Sequence, residues 1–488
     1  MKSLGINNNL FLKVLFLIVA TVFAVIFGLV AFTGNPILVG LAVGSVGGSF
    51  LLRSPKTIIW LVVAFGLGSP ALLDMGGHGL SRVLWAISMM ALLLWVPGLV
   101  NLIYVRANEQ RIIPIFVWLA IAFVLLSLVS GLLEQSPVGE SIMGFKRYFQ
   151  AFGLLLALCT LNVNRHDFDK WLKLLLGIAL LQLPFALFER FILVPLRGGI
   201  GATGAEATDI VAGTMGANLQ GGSPNGLMVL FVLMAFAFLF SRWRLGILET
   251  SRIWILGTVL MLPLILGETK VVVVLLPLMV LVLLRKDIVK NPMQYLPVLI
   301  TLAGATFALA YLYVYIMLGS NFTEAYMGTV KYNLKEVGYG LSLLNRTTVM
   351  SFWFSTQGWQ DPVGFLFGNG LGSSYGSGLQ AGHVAAKYPG YGIGLTTISS
   401  LLWDVGVVGL LLYVAIFIFA WQAANKLWRL SSNQKVKADA LAIQAVIALT
   451  LFFIFYLDSQ INLIMHEIMI AVTLGYLAFL VKEQRQQG

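Results

Sequence analysis

Apolar runs of about 20 residues recur from one end of this chain to the other, and each is long enough to cross a bilayer as a helix. They lie at about 12–32, 36–51, 57–73, 83–104, 112–132, 141–163, 172–193, 223–241, 252–267, 271–284, 296–318, 396–422, 440–457 and 463–481. The expected fold is therefore an all-α polytopic membrane protein with about 14 transmembrane helices. Composition agrees. The 488 residues are 59% hydrophobic and 10% charged, with a mean hydropathy of +0.91, whereas soluble domains are about a quarter charged. The single cysteine, Cys159, lies inside one of the runs, which leaves no disulfide framework and no cysteine metal site. The first run, Phe11 to Phe32, has no small-residue cleavage site after it and reads as the first helix rather than a signal peptide.

Loop charge sets the expected orientation, because cytoplasmic loops collect Lys and Arg. With both termini inside, every inner connection is basic: 53–56, 106–111, 164–173, 241–252, 285–290, 426–437 and the tail 482–485. Of the 31 Lys and Arg, the outer side keeps Arg82, Lys146, Arg147, Arg190, Arg197, Lys270, Lys331, Lys335, Arg346 and Lys387. The net charge of +11 follows from the inner loops and needs no nucleic acid. Inner loops are short. Two outer loops, at 194–222 and 319–395, are long, and long connections are commonly functional. The second is rich in Trp, Phe and Tyr and reads as a packed cap on a single membrane domain, 1–488.

Within LGETKVVVVLLP (266–277), Glu268 and Lys270 fall at the tip of a helical hairpin on the outer face. Lys146 and Arg147, in GFKRYFQAF, sit about one turn inside the sixth helix, where a charge requires a cavity or a partner. Snorkelling to the headgroups accounts for Arg82, Arg190, Lys331 and Lys335. Lys146, Arg147, Lys270 and Arg346 form the candidate anion site, since Arg binds phosphate oxygens in pairs and Lys acts as a point charge.

Four stretches resemble the bacterial O-antigen ligase and polymerase family. They are Pro224-Asn225 in GGSPNGLMVLF, Thr269-Lys270 where that family carries Ser-Arg, the Arg346…Gly368-x-Gly370-x-Gly372 stretch, and LLWDVGVVGLLLYV with Asp404 in the acidic place. The family's His-Asn pair before that acid is replaced here by Leu395-Thr396, and the nearby outer-loop histidine is His383. The resemblance implies a GT-C-like membrane glycosyltransferase of the bacterial inner membrane, with its site on the periplasmic side and no cofactor or metal. The donor it implies is an undecaprenyl-pyrophosphate-linked oligosaccharide, and the acceptor a second lipid-linked unit or, for a ligase, lipid A-core or a protein. The resemblance also implies a chain-length regulator as a partner.

Such chemistry asks for a base near the acceptor hydroxyl and cations for the departing pyrophosphate. His383 is the first candidate base and Asp404 the second. Arg346, Lys270, Arg147 and Lys146 would bind pyrophosphate, with Glu268 orienting Lys270. Trp353, Trp359 and Tyr388 would stack on sugars, the alternative being an interfacial aromatic belt. Polymerase, ligase and a flippase without chemistry remain as three readings, with polymerase preferred. Two other clusters read as structural. Asp167-Phe168-Asp169 belongs to a solvated loop, and His466-Glu467 to a polar contact between helices.

Overall fold

The computed structural model describes residues 52–76, 83–104, 113–196, 211–217, 224–267, 270–317, 342–358, 360–376 and 381–487, with isolated positions elsewhere. Residues 1–58 and 59–488 form two compact units, and the principal helices all belong to the second. Among the described residues every regular element is helical. The principal helices are α1 (Val83–Leu93), α2 (Trp95–Tyr104), α3 (Ile115–Leu133), α4 (Val138–Phe149), α5 (Phe152–Thr160), α6 (Arg165–Phe188), α7 (Asn225–Arg244), α8 (Thr250–Leu266), α9 (Val272–Lys290), α10 (Pro292–Met317), α11 (Thr348–Thr356), α12 (Pro362–Phe367), α13 (Thr397–Leu430), α14 (Gln434–Tyr456) and α15 (Ile464–Gln487).

Seven helices of the described residues are long and apolar enough to cross a membrane, and the bent pair α4–α5 makes an eighth. The chain is thus a multi-pass membrane protein. The runs at 12–32 and 36–51 lie almost wholly outside the described residues. The hairpin expected around residue 268 is present as α8 and α9, with Lys270 in the turn between them; Glu268 lies outside the described residues, as does Trp359. The most interior spans are α14 and α15, 78% and 83% buried, against 28% for the peripheral α6 span.

Helix starts and stops follow from local chemistry. Asn164 and Asp167 make a reciprocal capping box at the head of α6. The Asp167-Phe168-Asp169 stretch is therefore the first turn of a helix rather than a solvated loop, and Asp169 pairs with Lys435 at 2.9 Å. Thr396 and Ser399 form a second capping box at the head of α13, and Asp361 caps the short α12.

Among the described residues two spans are broken. The sixth expected span, 141–163, is the pair α4–α5, bent by 50° at Gln150–Ala151. The bend frees backbone donors in a membrane interior, where none can go unmet. Glu467 of α15 meets it: its carboxylate accepts from Ala151 N–H at 3.1 Å and from the Gln150 amide at 2.6 Å. His466 bonds Ser459, so the His466-Glu467 pair serves polar helix contacts as expected. The second break lies in α13, where Gly406 (φ 68°, ψ −171°) interrupts helical geometry. The expected loop 194–222 is described at 194–196, where the helix continues, and at 211–217, which is buried. Thr214 exchanges bonds with Gln182, and Glu189 accepts from Ala212 and Gly213 N–H groups.

Candidate functional site

The break in α13 is where the site begins. Ahead of Gly406, the carbonyls of Trp403 and Asp404 take donors from the loop 368–374. Asn369 N–H bonds Trp403 O at 2.7 Å, and Gly370 N–H bonds Asp404 O at 3.0 Å. Gly368, Gly370 and Gly372 all have positive φ (76°, 91° and 86°), a region that side chains other than glycine seldom occupy. A Cβ on Gly368 would collide with the Asp404–Val405 backbone, and one on Gly406 with the Leu366–Phe367 backbone. The Gly-x-Gly-x-Gly spacing is thus the geometry of a loop laid directly on a broken helix.

Inside this wrap sits the Asp404 carboxylate, 1% exposed. Oδ2 accepts from the Tyr148 hydroxyl at 2.8 Å and from Gly372 N–H at 3.1 Å; Oδ1 accepts from the Ser373 hydroxyl and from Ser374 N–H, each at 2.8 Å. Four donors satisfy a charge that burial alone would penalise heavily. Asp404 therefore organises the loop, and its lone pairs are committed.

Beside it opens a cavity of about 700 Å³, within the range of small-molecule sites. Its walls come from the end of α4 (Arg147, Tyr148), the loop segments at 372–376 and 381–395, the head of α13 and the turn between α14 and α15. Arg147 lies over the Tyr375 ring and interacts electrostatically with Asp404 and Asp458. Tyr388 lines the cavity and packs edge-on against Phe352.

Asp458 is the residue that sequence reading missed. It lies in the turn between α14 and α15, and its partly exposed surface opens on the cavity. Burial pushes its carboxyl up to about 6, opposed by the Asn462 amide at 2.6 Å and by the Arg147 charge. The turn is held rigidly. Gln460 accepts from the Tyr413 hydroxyl at 2.8 Å and donates to Thr450 O, while Thr397 ties Leu457 O to the head of α13. An acid in a short turn between two apolar runs was the available signal.

The other expected residues are dispersed. Lys146 turns away from Arg147 to lie over Trp85, 4.3 Å from the ring centroid. Arg346 donates from Nε to Tyr456 O at 2.7 Å and lies 4.4 Å from the centre of the Tyr456 ring; it is not among the residues lining the cavity, although Leu457, next to Tyr456 in sequence, is. Lys270 is exposed in its hairpin turn and is not among the residues lining the cavity. Trp353 is buried and stacked on Phe365, centroids 5.1 Å apart. His383 sits between wall residues Ala381 and Ala385, but its side chain turns to Glu140. Nδ1 and the His383 backbone N–H each lie 2.8 Å from one Glu140 oxygen. Glu140, in the first turn of α4, was also not expected. Among the described residues no His, Cys, Asp and Glu cluster could hold a metal ion.

No protein-family model matches the chain, and no curated protein is significantly similar to it.

Proposed function

We propose that this cavity is the transfer site of a membrane glycosyltransferase of the polysaccharide-polymerase type, acting at the periplasmic face of a bacterial inner membrane. The donor would be a glycan on a polyprenyl pyrophosphate, and the acceptor a sugar hydroxyl of a second lipid-linked unit. The observation that carries the reading is that Arg147, at the end of α4, and Asp458, in the turn between α14 and α15, line one cavity, with Tyr375 and Tyr388 beside them. In the reaction the acceptor oxygen bonds to the anomeric carbon while the bond from that carbon to the phosphate oxygen breaks. The electron pair leaves on the pyrophosphate, where Arg147 meets it. The acceptor proton passes to an Asp458 oxygen, whose affinity for a proton is matched to near-neutral conditions. A single displacement of this kind inverts the anomeric centre.

Asp404 is assigned a positioning role, since its four donors hold Tyr148 and the glycine loop in place. His383 is assigned the same role, because its ring and backbone N–H both fasten the 381–394 wall to Glu140. Arg346 is assigned an indirect role, since its bond to Tyr456 O holds the chain next to the lining residue Leu457.

The test is reconstitution of the purified protein with its host's lipid-linked repeat unit, in the presence of EDTA, with products resolved on a gel. A ladder of growing chains, absent in Arg147→Ala, is expected. Product only after addition of a lipid A-core or protein acceptor would replace the polymerase with a ligase. No product in either case would remove the transferase reading.

A further inference from the structure

A second cavity, of about 300 Å³, lies between α6, α7 and α15 at the far end of α14. Lys435 borders it near the start of α14, while Leu457, just past the end of that helix, borders the first cavity. The separation is about 33 Å along the axis at 1.5 Å per residue, so the two cavities open at opposite ends of one span. The second belongs to the end bearing the basic connections.

Its lining has a polarity gradient. At one end stand His166, Asp169, Lys173, Arg242 and Lys435. At the other are Leu176, Phe231, Met234 and Met469. On α7 the lining positions Phe231, Met234, Phe238 and Arg242 recur at helical spacing and run from apolar to charged over about 16 Å.

The charges do not cancel. Arg242 is matched by Asp439, in two bonds of 2.7 and 3.0 Å, and the Tyr476 hydroxyl donates to the same carboxylate at 2.6 Å. Lys435 is matched by Asp169. Lys173 is exposed at the rim, and no carboxylate among the described residues pairs with it. The neighbouring His166 is exposed as well. With histidine neutral the polar end keeps one positive charge.

From the polarity gradient and the single uncancelled charge, we infer that this cavity holds a monoanionic glycerophospholipid. Its phosphodiester would lie at Lys173 beside the two ion pairs, and one acyl chain would run along Leu176, Phe231 and Met234. A phosphodiester carries one negative charge and so completes the site. A zwitterionic headgroup would bring its own ammonium against Lys173 and Arg242. The lipid would bridge the peripheral α6 to the interior α15.

Native mass spectrometry from mixed micelles of phosphatidylglycerol and phosphatidylcholine tests this directly, with thermal unfolding as a second readout. Selective retention of phosphatidylglycerol is expected, with a rise in unfolding temperature that phosphatidylcholine does not give. Lys173→Ala should weaken retention about fivefold, the scale of one Lys contact to an anionic lipid surface. Leu176→Trp, which fills the apolar arm and leaves the charges in place, should abolish it. Equal retention of the two lipids, or unchanged retention in both variants, would overturn the inference. A full thermal shift from inorganic phosphate alone would also overturn it, leaving an anion site without a lipid.

Discussion

Replacing Asp458 with asparagine separates catalysis from stability, because the two should move in opposite directions. In the fold its carboxyl titrates at about 6, against 3.8 for the ordinary group. The protonated form is thus favoured by folding. The contribution of this group to stability is full below about pH 4 and is lost as pH rises through about 6. A shift of roughly two units corresponds to about 3 kcal/mol. The cavity admits water that screens the charge, so this is an upper bound at pH 8. Asparagine keeps an oxygen for the Asn462 amide and carries no charge. Asp458→Asn should therefore match the wild type in stability at pH 4 and exceed it at pH 8, by up to about 3 kcal/mol. Transfer should fall by about 10²- to 10⁴-fold, the range for loss of a general base. Wild-type activity should rise as pH climbs through about 6. The assays are denaturant unfolding of the purified protein at both pH values and the gel ladder across the same range. Retained activity, or a variant less stable than wild type at pH 8, would refute the assignment.

Other substitutions test the architecture around the cavity. Asp404→Asn places an amide nitrogen against either Gly372 N–H or Ser374 N–H; a loss of about 1–3 kcal/mol is expected in unfolding measurements, the cost of leaving a buried donor without an acceptor. Gly406→Ala should destabilise by more than about 2 kcal/mol, because a new Cβ would meet the Leu366 backbone at a left-handed φ. Gly139→Ala is its control: nothing lies within 4 Å of that Cβ, and in the first turn of α4 it should leave stability unchanged or raise it by no more than about 0.5 kcal/mol. Glu467→Ala strips the Gln150 amide and Ala151 N–H of their acceptor, and should lower stability by about 1–3 kcal/mol. Each is read by the same unfolding assay.

Much of the framework is legible in the linear chain. Runs of about 20 apolar residues permit little besides membrane helices, because lipid offers the backbone no partner. The hairpin at Lys270 follows from two such runs set a few residues apart. The glycine spacing at 368, 370 and 372 and the acid at 404 stand out in the chain only as a resemblance; that the glycine loop lies on the helix broken at Gly406 is set by packing, where close backbone approach needs residues without a Cβ.

Tertiary structure decided which of these residues meet. Lys146 and Arg147 are neighbours in sequence but point about 100° apart on a helix. One lies over Trp85 and the other enters the cavity beside Tyr375. Asp458 joins Arg147 from far along the chain, through a turn whose geometry is fixed by Gln460 and Thr397. The bend at Gln150–Ala151 is invisible to hydropathy, because the carboxylate that stabilises it comes from α15. Hydropathy reports a residue's preference for lipid or water, which is local. A site depends on the directions of side chains on packed helices, and only the packing sets those.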